Sequence, residues 1–142
     1  MSYFNPIFEV NTVTQTNTKS GSTELARLLA EMNKAGEFPI AVLTDRHGFP
    51  IASAAGPGQD PETQSAVVAL VQKTAAQVRD QLGMAQTDEI SLYDTNGQRL
   101  VCRPINVNGH DLILAVLVPN KIASYRRLTN QAVSAIRRAW KL

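Results

Sequence analysis

The stretch Ile40-Ala41-Val42-Leu43-Thr44-Asp45-Arg46-His47-Gly48-Phe49-Pro50-Ile51-Ala52-Ser53-Ala54 decides the fold. Ile40 to Leu43 is a near-continuous apolar run, which reads as a well-covered strand. Arg46-His47-Gly48 makes a turn, and the chain returns along a second strand. The pattern predicts a hairpin over Phe38–Asp45 and Phe49–Ala54. Pro39 and Pro50 fall near the strand starts, where a missing N–H donor is tolerated.

Working outward, Leu25, Leu28, Leu29 and Met32 recur at i, i+3, i+4 and i+7. They predict an amphipathic helix over Thr23–Ala35, stopped by Gly36. The segment before it, from Asn11, is mostly Thr, Asn, Gln, Ser and Gly, which buries no core. Residues 1–22 are therefore expected to be a flexible N-terminal arm, and 23–142 the domain. Tyr3, Phe4, Ile7, Phe8 and Val10 make that arm either a disordered terminus or a short docking segment.

Downstream, Asp60 is placed as N-cap and Pro61 as N1 of a long helix that ends at Leu82 with Gly83. A strand over Glu89–Asp94 then meets Thr95-Asn96-Gly97-Gln98, where Asn-Gly predicts a type I′ turn. Arg99–Ile105 pairs back, and Asn106–His110 turns again. Leu112–Val118 is apolar at every position and is expected at the sheet centre. Pro119-Asn120 opens a final helix that reaches Trp140. The order is α-β-β-α-β-β-β-α, predicting an α/β (α+β) domain with one five-stranded antiparallel sheet flanked by helices.

The 142 residues, 44% apolar and 18% charged, suit one globular domain. A single cysteine, Cys102, excludes an internal disulfide or a multi-Cys zinc site and suits a reducing compartment, so a cytoplasmic location is expected. No apolar run approaches a membrane span, and the N-terminus has no basic n-region of a signal peptide. The net charge of +2 hides an asymmetry. Residues 1–111 carry 8 Lys/Arg and 12 Asp/Glu, whereas residues 112–142 carry 6 Lys/Arg and no acid.

Reactive constellations are missing from the sequence. His47 and His110 lie in turns without clustered metal ligands. Cys102 reads as a buried small hydrophobe. Gly56-Pro57-Gly58 resembles a phosphate cradle only superficially: Pro57 lacks a donor, and Asp60 and Glu62 put negative charge where an anion would sit. No catalytic, cofactor-binding or metal residue is assigned, and no cofactor is expected.

Two helices carry a second message. On the long helix, Val67, Val71, Ala75, Val78 and Leu82 are expected to face the sheet. Ala66, Ala69, Leu70, Lys73, Ala76 and Gln77 form another, alanine-rich face. It is either a surface of good helix formers or a contact with a second copy, joined by Ser91 and Tyr93 on a neighbouring edge strand. The final helix has an inner face of Ile122, Tyr125, Leu128, Ala132, Ile136, Ala139 and Trp140. Its outer side holds Arg126, Arg127, Arg137 and Arg138, either a solvated face near a helix C-terminus or a patch for an acidic partner. Nucleic acid is disfavoured, because the aromatic residues there point inward and leave nothing to stack bases.

The hairpin at residues 40–54 resembles the roadblock (dynein light chain roadblock) family: apolar strand, Asp-x-x-Gly turn, then Phe-Pro-Ile-Ala-Ser. The alanine-rich helix, the Asn-Gly hairpin and the apolar fifth strand follow in the family's order, over about Thr23 to Trp140. The resemblance implies a roadblock/profilin-like fold and a non-catalytic homodimer with antiparallel long helices and sheets joined at their edges. It implies a regulator or scaffold of a small Ras-like GTPase that acts through the GTPase's own residues, in polarity or motility. The alternatives are a structural adaptor of a motor or filament system, or a small-molecule sensor.

Overall fold

The computed structural model describes residues 6–120 and 123–140, with residues 6–20 as helical backbone only. The elements are α1 (Pro6–Gly36), β1 (Ile40–Asp45), β2 (Pro50–Ala55), α2 (Pro61–Leu82), β3 (Ile90–Tyr93), β4 (Arg99–Val107), β5 (His110–Val118) and α3 (Arg126–Ala139). Their order is the one the sequence predicts. The strands form a single antiparallel sheet in the order β2-β1-β5-β4-β3, with β5, apolar from Leu112 to Val118, at its centre.

Two helix starts differ from expectation. Helix α1 begins at Pro6, well before Thr23. The polar Asn/Thr/Gln segment lacks the apolar stripe that marks a helix in sequence. Helix α3 begins at Arg126 and not at Asn120, whose side chain instead accepts from the Ala123 N–H at 2.9 Å. Ile122, expected on its inner face, lies outside the described residues.

The sheet has two covered faces. On one, α1 and α3 pack Leu25, Leu29, Met32, Ala132, Val133 and Ile136 against Ala41, Leu43, Val101, Leu114 and Val116. On the other, Val68 of α2 meets Ile40, Val42, Cys102, Ile113 and Ala115. The alternation of β1 and β5 residues between the two clusters is the period-2 pleat at work.

Two hairpins use one turn. Asp45 Oδ1 accepts from the N–H groups of His47 (2.8 Å) and Phe49 (3.0 Å), and Gly48 N–H donates to the Asp45 carbonyl at 3.1 Å. Asp94 repeats this with Asn96 (2.9 Å), Gln98 (2.8 Å) and Gly97 (3.2 Å). The type I′ turn expected at Asn96-Gly97 is therefore not there. The Asp94 carboxylate fixes a longer loop in which only Gly97, at φ 87°, needs the left-handed region. The two-residue geometry sits instead at Asn108-Gly109, with φ 52° and 88°, between Val107 and His110.

Helix α2 is capped as the sequence indicates. Asp60 accepts from Glu62 N–H (3.0 Å) and the Thr63 hydroxyl (2.7 Å), and Gly83 closes the helix in the left-handed region. These bonds favour the Asp60 carboxylate, chiefly through Thr63, and lower its pKa.

Candidate docking surfaces

The rotation of α2 about its axis differs from the sequence expectation. Ser65 and Val68 are the buried residues, and Val67, Val78 and Leu82, expected toward the sheet, are exposed. The cause is at the Asp45–Gly48 turn. A Cβ placed on Gly48 would lie 2.4 Å from Ala69 Cβ and 3.1 Å from the Ser65 carbonyl oxygen. Small residues on both sides let the helix settle on the hairpin through its Ser/Ala side. The larger Val and Leu side chains are then carried outward.

The outward stripe continues onto the sheet. Helix α2 covers the β1–β2 side of its face and leaves the β3 end open. Leu70, Val71, Thr74 and Val78 from the helix face Ile90 and Leu92 across a groove of about 840 Å³. Leu70 (65% exposed), Met84 (59%) and Leu92 (59%) line this largely apolar surface beside an edge strand, and Leu82 at the end of the same helix is 71% exposed. Monomeric soluble proteins rarely leave such a surface uncovered, which makes it a candidate interaction site.

Of the residues assigned to a dimer contact from sequence, Leu70 and Ser91 line this groove. Ala66, Lys73 and Gln77 are exposed on the flank of α2, whereas Ala69 and Ala76 are half-buried, Ala69 against the hairpin turn. Tyr93 points to the opposite sheet face. The residues sequence reasoning missed as outward-facing are Val67, Val78, Leu82, Met84 and Leu92. Their signal is an apolar stripe, which periodicity assigns to the core. Hydropathy alone ranks Val and Leu above Ser and Ala, and it is blind to how closely the helix approaches.

Tyr93 and its neighbours form a second cluster, at the N-terminus of α3. The Arg99 guanidinium, buried, lies between the Tyr93 and Tyr125 rings at 4.8 and 4.7 Å from their centroids. Such stacking desolvates a guanidinium without a carboxylate partner. The Tyr125 hydroxyl and the Ser91 hydroxyl (3.1 Å) donate to Glu89 Oε2. Partial burial, together with the Glu89 carboxylate, raises the Tyr125 phenol above its ordinary pKa. Glu89 Oε1 lies 3.3 Å from Arg126 Nη2 and 3.9 Å from Arg103 Nε, close enough for ion pairing but without hydrogen-bond alignment.

The four α3 arginines are all exposed, but they are not equivalent. Arg126 pairs with Glu89, and Arg137 Nε donates to the Asn106 carbonyl at 3.0 Å. Arg127 and Arg138 point outward. His47 is exposed, and His110 packs near Trp140 at 5.4 Å. Cys102 is buried, and desolvation pushes its thiol up to about 12. Among the described residues, no group of three or more His, Cys, Asp or Glu is arranged to hold a metal. Within the same residues, no helix is long and apolar enough to cross a membrane.

The element order and sheet topology are those of a roadblock-like α/β fold. Among solved structures, the chain is similar to the gliding protein MglB of Thermus thermophilus, with a TM-score of 0.65 and 20% identity over 84% of this chain and 90% of that one. It is similar to Myxococcus xanthus MglB at a TM-score of 0.62 and 18% identity, covering 82% and 86% of the two chains. A Roadblock/LC7 domain from Streptomyces avermitilis matches at 0.59 and 16%, covering 82% and 93%. No protein-family model matches the sequence, and no curated protein matches it significantly. At these identities the likeness establishes the fold.

Proposed function

We propose that this chain is a cytoplasmic, non-catalytic homodimer that regulates or scaffolds a small Ras-like GTPase in a motility or polarity system. One observation carries the reading: the mostly apolar, exposed groove between α2 and the β3 edge, where the same helix of a second copy would cover Leu70, Val78 and Leu92. A two-fold pairing buries Leu70, Val78 and Leu92 of both protomers at once, the economy of an isologous contact. Support for the system comes from a fold neighbour described as a gliding protein, and support for self-assembly from an MglB structure with a tetrameric arrangement. The outward arginines Arg127 and Arg138 give the dimer a basic face for an acidic partner surface.

The test is sedimentation velocity of the purified chain at micromolar concentration, followed by binding to the Ras-like GTPase encoded nearest its gene, loaded with GDP or a GTP analogue. The expected results are a dimer and preference for one nucleotide state, since only differential affinity couples a partner to the switch. A monomer removes the groove's assignment, and equal or absent binding to both states removes the GTPase.

A further inference from the structure

Beyond the register Ile90↔Cys102, no described strand pairs with β4 on its β3 side, so Arg103–Val107 presents an open edge. That edge is blunted. Pro104 has no N–H to offer, and Arg137 covers the Asn106 carbonyl. Between this edge and α3 lies a cleft of about 370 Å³, lined by Arg103, Pro104, Asn106, Asn130, Ser134 and Arg137. Its lining has two guanidinium groups and no carboxylate, although Glu89 Oε1, outside that lining, lies 3.9 Å from Arg103 Nε.

Both guanidiniums are held from behind. Arg103, with its side chain 16% exposed, donates through Nη1 to Thr129 Oγ1 and Asn130 Oδ1, each at 2.7 Å. Its Nη2 makes no hydrogen bond among the described residues. Arg137 is anchored through Nε, and both its Nη groups are unengaged there. Thr129 is buried and fixed by its own bonds to the Tyr125 and Arg126 carbonyls, so the Arg103 anchor is rigid. Two pre-positioned, partly unsatisfied forks beside a serine hydroxyl match the geometry of an oxyanion.

We infer that the β4–α3 cleft is a docking subsite for a carboxylate-bearing segment of a protein partner, with Arg103 and Arg137 as its ligating pair. This rests on the regulator reading for the existence of a partner, but it names a different surface from the α2 groove. Charge favours an acidic peptide: residues 112–142 carry six Lys/Arg and no acid. The cleft offers no aromatic face on which a base could stack, which disfavours nucleic acid.

The probe is a fluorescein-labelled decapeptide of alternating Glu and Asp, titrated by anisotropy into the full chain. The expected result is saturable binding that Arg137→Gln weakens about tenfold or more, as loss of a charge-assisted bond requires. Lys34→Gln, exposed on α1 and outside the cleft, changes binding less than about twofold. Arg103→Gln risks α3 packing, so Ser134→Glu is the second variant. It sits on the exposed side of α3, fills the cleft with a carboxylate and abolishes binding with the circular dichroism spectrum unchanged. Equal losses from Lys34→Gln and Arg137→Gln would mean diffuse charge and overturn the site. So would preferential binding of a decanucleotide, or displacement of the peptide by millimolar inorganic phosphate. Sedimentation separates the two readings: an intact dimer that ignores the peptide sinks the cleft alone, whereas a monomer that binds it sinks the dimer alone.

Discussion

Gly48→Ala tests the contact that sets the rotation of α2. Gly48 has φ +88°, and its new Cβ would stand 2.4 Å from Ala69 Cβ, 3.0 Å from Ala69 Cα and 3.1 Å from the Ser65 carbonyl oxygen. Carbon atoms in good contact sit ~3.5–4.0 Å apart. Helix and hairpin must therefore separate by about 1 Å, and two of the three obstacles are backbone atoms. Left-handed strain costs ~1–2 kcal/mol, and overpacking ~1–3 kcal/mol. The sum, about 2–5 kcal/mol, is a large share of the ~5–15 kcal/mol that holds a domain folded. Gly58 supplies the control. Its φ is +79°, and a Cβ there meets nothing within 4 Å, so Gly58→Ala carries the strain without the clash. Urea unfolding of both variants and the wild type isolates the clash as their difference, expected at ~1–3 kcal/mol. Adding Ala69→Gly to Gly48→Ala recovers part of it, beyond the ~1 kcal/mol that glycine costs a helix. If Gly48→Ala and Gly58→Ala agree within ~0.5 kcal/mol, the packing argument for α2 is wrong.

Leu70→Asp leaves the protomer folded, because Leu70 is 65% exposed, but weakens self-association at both copies of a two-fold contact. At ~1–2 kcal/mol per copy, the dimer dissociation constant rises about 30-fold or more, measured by sedimentation equilibrium. Ala69→Arg, by contrast, strikes the hairpin contact and is expected to lower the melting temperature, read by circular dichroism. Cys102 stays unmodified by a disulfide reagent at pH 8 in native protein and reacts fully in urea, since burial keeps its thiol protonated. Asp60 has a lowered folded-state pKa, so its contribution is present above the ordinary aspartate value and is lost as pH falls through the folded value. Asp60→Asn therefore flattens the acid limb of the stability curve below about pH 4, read by urea midpoints from pH 5 to 2.

The local elements were legible because local chemistry causes them. Asp60-Pro61 and Gly83 mark the ends of α2 through backbone groups within a few residues, and the apolar run of β5 states that both its faces are covered. The Phe-Pro-Ile-Ala-Ser hairpin carries enough to name the fold. Turn geometry was less legible: Asn96-Gly97 and Asn108-Gly109 are identical dipeptides, and Asp94 two residues before the first one changes its loop. What only the tertiary structure decided is which side of α2 is inside. Two faces of that helix are apolar, and hydropathy favours burying the valines. The close approach of Ala69 to Gly48, residues 21 positions apart, reverses the choice. The same holds for the β4–α3 cleft, since Arg103 and Arg137 lie on separate elements and meet only because β4 outruns β3 and α3 lies alongside its free edge. Sequence periodicity determines which faces exist. Packing distance determines which of them water sees.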